Sequence, residues 1–184
     1  IPAWLCKTGM KLRNVSGSIC SKCYALKGRY VFPNVKNALI RRFNKISDPM
    51  WVDAMTIAIG GTESSGFFRW HDSGDIQSLK HLTDICQIAK NLSNISFWLP
   101  TREYSIVAQY VKQNGALPEN LTVRLSALMI NGQPPVSIAN RLGCVTSGVS
   151  DIGFTCPSSA QGNKCLNCRA CWDKNVTNVN YKTH

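Results

Sequence analysis

Cys165-Leu-Asn-Cys168-Arg-Ala-Cys171 sets three thiols at a constant two-residue interval. Turns of that length aim successive sulfurs at one point, and a repeated C-x2-C-x2-C is the spacing that wraps an iron–sulfur cluster. A tetrahedral zinc site more often uses two separated C-x2-C pairs. Cys156, upstream and followed by Pro157, supplies a fourth thiol, and Gly162 lets the intervening loop fold back. The C-terminal segment 156–173 is therefore expected to hold a metal centre, a [4Fe-4S] cluster ahead of zinc. A second group, Cys6, Cys20 and Cys23, lies in the N-terminal segment 1–30. Three thiols without a local fourth suit a cluster with one open iron, or a centre that borrows a ligand from elsewhere. A merely structural C-x2-C turn is the remaining reading. One cubane uses four thiols, so two clusters or one shared cluster are both open. The completeness of the C-terminal quartet favours two. Cys86 and Cys144 fall inside apolar patterns and are expected to be buried thiols.

Other candidate groups stand just after apolar runs. Gly66-Phe-Phe-Arg-Trp70 leads into His71, Asp72 and Asp75; Ile95-Ser-Phe-Trp-Leu99 into Thr101, Arg102 and Glu103; Leu121-Thr-Val-Arg-Leu125 carries Arg124 and is followed by Ser126. In parallel α/β sheets functional groups collect at the C-terminal strand ends. His71, Asp72, Arg102 and Arg124 are thus the catalytic candidates, expected to converge on one polar pocket. A histidine suits proton transfer because its pKa lies near neutrality. Asp72 would orient it, and Asp75 would cap the next helix.

The elements that must position these groups are legible from periodicity. Val35, Leu39, Phe43 and Ile46 recur at helical steps, with Lys36, Arg41, Arg42 and Lys45 off the stripe. Asp48-Pro49 reads as N-cap and first residue of a second helix, which Gly60-Gly61 ends. Strand, helix over Leu79 to Asn91, strand, helix from Ile106 to a stop at Gly115, strand: this order predicts a single α/β domain. Its sheet is mostly parallel and partial-barrel-like, with cysteine-rich termini. Val136–Ala139 and Cys144–Val149 are expected to add strands.

The chain has 184 residues, 44% hydrophobic, enough for one domain with its own core. Nine cysteines, an odd number at metal-like spacings, argue against a secreted disulfide framework. No apolar run is long enough to span a bilayer, and no signal-peptide pattern occurs. A formal charge of +11 favours an anionic partner, a small molecule or nucleic acid. The basic residues are scattered, however, and only Arg41, Arg42 and Lys45 cluster.

Four motifs carry a family resemblance: Cys20-Ser-Lys-Cys23-Tyr-Ala-Leu-Lys-Gly-Arg-Tyr30, Phe68-Arg-Trp-His-Asp-Ser-Gly-Asp75, Phe97-Trp-Leu-Pro-Thr-Arg-Glu103 and Cys165-Leu-Asn-Cys168-Arg-Ala-Cys-Trp-Asp173. They resemble the phage protein family called gene product 88. The resemblance implies a phage-encoded protein of the host cell cytoplasm. More loosely, cysteines ahead of a βα repeat resemble radical S-adenosylmethionine enzymes, which implies S-adenosylmethionine as a further cofactor. Their hallmark is C-x3-C-x2-C, whereas thirteen residues separate Cys6 from Cys20 here. The expected function is an iron–sulfur enzyme of redox or radical type with its pocket beside the cluster. The alternatives are a nucleic-acid-binding module with a structural metal, and an iron–sulfur electron carrier or sensor.

Overall fold

The structure, a computed structural model, describes residues 1–150 and 154–182. A short 3-10 turn (Ala3–Leu5) leads into α1 (Lys7–Leu12), and further 3-10 turns follow up to Val31. α2 (Pro33–Lys45) begins at a proline whose fixed φ suits the first helical position. α3 (Trp51–Thr62) starts within two residues of the expected boundary, and the Asp48 carboxylate accepts from Met50 N at 3.0 Å. It runs through Gly60-Gly61 instead of ending there. A Cβ on Gly60 would stand 3.1 Å from Leu92 Cδ2, so this glycine serves close packing rather than termination.

β1 (Phe67–Arg69), α4 (Leu79–Asn91), β2 (Ser96–Thr101), α5 (Tyr104–Asn114) and β3 (Leu121–Ser126) follow in the expected alternation. Gly115, at φ 81°, terminates α5 as its sequence demands. α6 (Val136–Arg141) occupies the stretch expected to be a strand. Val136 and Ile138 carry β-branched side chains, but Pro134-Pro135 launches a helix that buries Ala139. β4 (Val145–Val149) precedes the cysteine loop, and β5 (Asn178–Tyr181), unforeseen, follows it.

The five strands pair in sequence order, every neighbour parallel, in a curled half-barrel. Alternation along the strands gives the sheet two different faces. Phe97, Leu99, Leu121, Val123 and Leu125 turn to the helices and join Leu82, Ile85 and Val107 in the main core. Full burial of each large aliphatic side chain contributes roughly 1.5–3 kcal/mol. The opposite, inner face carries Trp98, Thr122, Arg124 and Val179. It is covered by the β4–β5 connection, a parallel crossover that does without a long helix and packs Cys171 and Trp172 against Trp98. No helix among the described residues is long and apolar enough to cross a membrane.

Candidate functional site

The N-terminal segment lies across the C-terminal ends of three strands. Ser73 Oγ, after β1, donates to Ile1 O at 2.7 Å. Thr8 N donates to Glu103 Oε1, after β2, at 2.8 Å. Ile19 N donates to Leu128 O, after β3, at 3.0 Å. This lid brings the N-terminal thiols to the face where α/β chemistry is expected. A Cβ on Gly9 would meet Cys6 Cβ at 3.0 Å, Cys20 Sγ at 3.6 Å and Cys6 Sγ at 3.7 Å. The two sulfurs therefore flank one glycine. Burial pushes the Cys6 thiol up to about 12, with Asp75, Cys23, Cys20 and Glu103 adding to the effect. Cys20 is raised too, again by burial first, while Arg102 pulls the other way.

Beneath the thiols, Asp75 is the hub of the strand ends. It accepts from Thr101 Oγ1 at 2.6 Å, Arg102 N at 2.8 Å and Ile76 N at 2.8 Å. Burial still lifts its carboxyl to about 6. It caps no helix: Ser78 caps α4, accepting from His81 N at 3.1 Å. Arg102 Nε donates to Ala127 O at 3.2 Å, which ties the β2 end to the β3 end. Glu103 is buried and holds the lid through Thr8. Cys6, Cys20, Asp75, Arg102 and Glu103 thus share one locality.

The other catalytic candidates do not join them. Arg124 is wholly buried on the inner face and spends its guanidinium on five main-chain carbonyls: Cys171, Thr146, Val176, Ala170 and Asp173. Its polarity in the sequence marks an anchor for the cysteine loop, and the expected convergence with His71 and Arg102 does not occur. Ser126 Oγ pairs with Ser147 Oγ at 3.1 Å on the same inner face. Asp72 does not orient His71. Its carboxylate accepts from Tyr30 and its carbonyl from Tyr24, while both ring nitrogens of His71 are buried without a partner. His71 holds φ at 58°, a left-handed conformation that a non-glycine residue adopts only when its surroundings enforce it. Desolvation drives its pKa well below the usual value.

The C-terminal quartet is a separate group. Cys168 N donates to Cys165 O at 2.9 Å across a tight turn, with Leu166 at φ 44°. Cys165 is exposed and Cys171 buried, its sulfur 3.3 Å from the Tyr181 hydroxyl. Burial raises the Cys171 thiol to about 11, opposed by Tyr181 and Arg124. Cys86 and Cys144 are buried in the main core, as their patterns indicate. No group of three or more His, Cys, Asp or Glu among the described residues is arranged to hold a metal ion. In chemical kind both thiol sets suit a thiolate-bound centre. In geometry their sulfurs stand short of ligation.

Two residues, Tyr181 and His81, and the role of a third, Glu103, escaped the reading of the sequence. Tyr181 lies on the unforeseen β5. Glu103 acts through its contact with the lid, which no local pattern encodes. His81, 1% exposed, sits one turn before Ile85 on the buried face of α4, and that spacing could have revealed it.

No curated protein and no solved structure is detectably similar to this chain. The looser likeness to radical S-adenosylmethionine enzymes gains no support. The family model described as gene product 88 matches residues 2–174, nearly the whole length, and its span takes in the lid, the strand ends and the cysteine loop. The chain therefore belongs to the gene product 88 family of phage proteins.

Proposed function

We propose that the chain is an iron–sulfur enzyme of redox type, acting on a small anionic substrate at the strand ends beneath the lid. One observation carries this reading: Cys6 and Cys20, distant in sequence, are gathered beside Asp75, Arg102 and Glu103. Cys6, Cys20 and Cys23 would hold one centre, and Cys156, Cys165, Cys168 and Cys171 a second. A cluster with three cysteine ligands would supply one-electron chemistry and an open iron position. The chain's own residues have distinct parts. Arg102 offers a cation to an anionic group and favours the thiolate of Cys20. Asp75 carries a buried carboxyl within the same locality, and Glu103 keeps the lid seated through Thr8. S-adenosylmethionine has no residue here that argues for it.

Two other readings keep a foothold. Arg41 and Arg42 are exposed on α2, as a nucleic-acid interface requires. Exposed Cys165 would suit an electron carrier.

Anaerobic purification with iron, sulfide and zinc analysis tests the proposal. Iron with acid-labile sulfide is expected. A C20S/C23S variant should lose about half the iron, and a C165S/C168S variant the other half, on four irons per cluster. Zinc without sulfide, in protein offered both metals, overturns the iron–sulfur assignment. Folded protein free of metal overturns both. Loss of all iron from C20S/C23S overturns the two-centre arrangement.

A further inference from the structure

On the far side of β1 from the inner face lies a cavity of about 780 Å³. α2 and α3 wall it, and the end of β1 with His81 of α4 closes it. No cysteine lines it, so it is distinct from the thiol groups. Its volume falls within the roughly 300–1,000 Å³ of small-ligand sites.

The walls are aromatic. Trp51 meets His81 edge-on at 5.4 Å, and Trp70 lies 6.2 Å from His71. The two imidazoles stand 5.5 Å apart. Three polar atoms in this wall are buried with no partner: Trp70 Nε1 and both ring nitrogens of His71. An unmet buried donor or acceptor is destabilising, because it loses its water without gaining a partner. Three of them on adjacent residues, two of the three on a residue held at φ 58°, are explained by a ligand that meets them. A neutral imidazole offers one donor and one acceptor, and the indole offers a donor. His81 Nδ1 accepts from Gln77 N at 3.2 Å, which leaves the proton of the neutral ring on Nε2 as a further donor. The complementary ligand has a flat ring whose edge both donates and accepts.

The charges point the same way. Arg41, Arg42 and Lys45 line the cavity against Asp48 and Asp72, while Arg69, also in its wall, lays its guanidinium over Trp98 on the inner face, 4.9 Å from the ring centroid. Lys45 is held by Asp48 at 2.8 Å, and Asp72 is engaged by Tyr30. Arg41 and Arg42 are exposed and have no ion-pair partner among the described residues. A hydrocarbon chain would satisfy the apolar walls but strand the polar atoms. Inorganic phosphate would satisfy the arginines and leave the aromatic walls unused.

We infer that this cavity binds a nucleotide, its base among Trp51, Trp70, His71 and His81 and its phosphate on Arg41 and Arg42. The site is independent of the metal assignment.

Intrinsic fluorescence reports on it directly, because Trp51 and Trp70 line the cavity. As-purified protein is titrated with AMP, GMP, CMP and UMP, and in parallel with adenosine, guanosine, inorganic phosphate and decanoate. Saturable binding of at least one monophosphate is expected. Its affinity should fall about tenfold or more in R41Q/R42Q, and the matching nucleoside should bind more weakly by a similar factor. H71F should lose binding with an unchanged far-UV spectrum. C20S/C23S should keep it, which separates this inference from the metal proposal. The assignment is overturned by the absence of saturable binding for all four monophosphates up to ~1 mM. It is equally overturned if decanoate or inorganic phosphate binds as tightly, or if R41Q/R42Q changes nothing. Should H71F fail to fold, the arginine variant and the nucleoside comparison decide.

Discussion

The two cysteine-bearing segments are built on opposite principles. The C-terminal run is compact in sequence and is wired into the sheet through main-chain carbonyls that converge on one buried arginine. The N-terminal thiols are dispersed in sequence and are gathered by a segment that is tied to three successive strand ends by hydrogen bonds at scattered positions along it. The stronger local motif thus belongs to the plug of the half-barrel, and the weaker one to the face where parallel sheets do chemistry. Spacing reports that a loop can ligate. Position in the fold reports what a ligated centre would be near.

Breaking the plug should have the largest effect. Arg124→Ala removes five donors at once and leaves buried carbonyls unsatisfied, so a loss of about 3–5 kcal/mol is expected, short of additivity because the loop can relax. Urea unfolding with the lid intact measures it. A loss under ~1 kcal/mol would mean that the loop is held by its apolar contacts, Trp172 and Cys171 on Trp98, and the contrast with the lid would fail.

Arg124 also shows why half of the site was unreadable. A charged residue near the end of an apolar strand fits both a catalytic group and an interior anchor. Only the curl of the sheet, and the loop that fills it, separates the two. β5 escaped for a related reason: Asn178-Val-Asn-Tyr181 is short and mostly polar, and its pairing with β4 is what makes it a strand. The helices α4 and α5 and strands β2 and β3 were legible because their periodicity and their burial coincide. Where one residue type serves two ends, the sequence misleads. Gly60 reads as a stop and is a contact, Asp75 reads as a cap and is a hub, and Val136–Ala139 reads as a strand and is a helix. The lid's path could not be inferred at all, since each of its contacts spans scores of residues.

Acid should sharpen the contrast. The plug holds its buried charge fully bonded, whereas the β1 side keeps two histidines neutral by burial. Desolvation lowers His81 to about 4 and His71 well below its usual range. A depressed histidine pKa means that the unfolded chain takes up protons the folded chain refuses. Its contribution is complete above the ordinary value of 6.5 and is lost as pH falls toward about 4. His81→Gln keeps an acceptor for Gln77 N and removes the titration. The stability gap between wild type and His81→Gln should therefore narrow, or reverse, by roughly 1–3 kcal/mol between about pH 6.5 and pH 4. Denaturant titrations at several pH values read it. A gap that stays constant with pH would show that the ring is not held neutral.

The smallest change bears on the lid alone. Gly9 sits inside α1, where alanine is favoured over glycine by about 1 kcal/mol. The added Cβ would, however, press on Cys6 Cβ at 3.0 Å, close enough that Cys6 must move by a few tenths of an ångström. The two effects oppose, so Gly9→Ala should change global stability by no more than about 1 kcal/mol in either direction. Its effect on the thiols should be out of proportion. The new methyl stands within 3.7 Å of both Cys6 Sγ and Cys20 Sγ, and it occupies the ground between sulfurs that must approach each other to share a metal. Iron at the N-terminal centre should fall in Gly9→Ala while the C-terminal centre keeps its share, the same partition as C20S/C23S by a route that removes no ligand. If Gly9→Ala keeps its full iron, then Cys6 and Cys20 reach their metal without closing around that point, and Gly9 serves the packing of α1 on Cys6 rather than the approach of the two sulfurs.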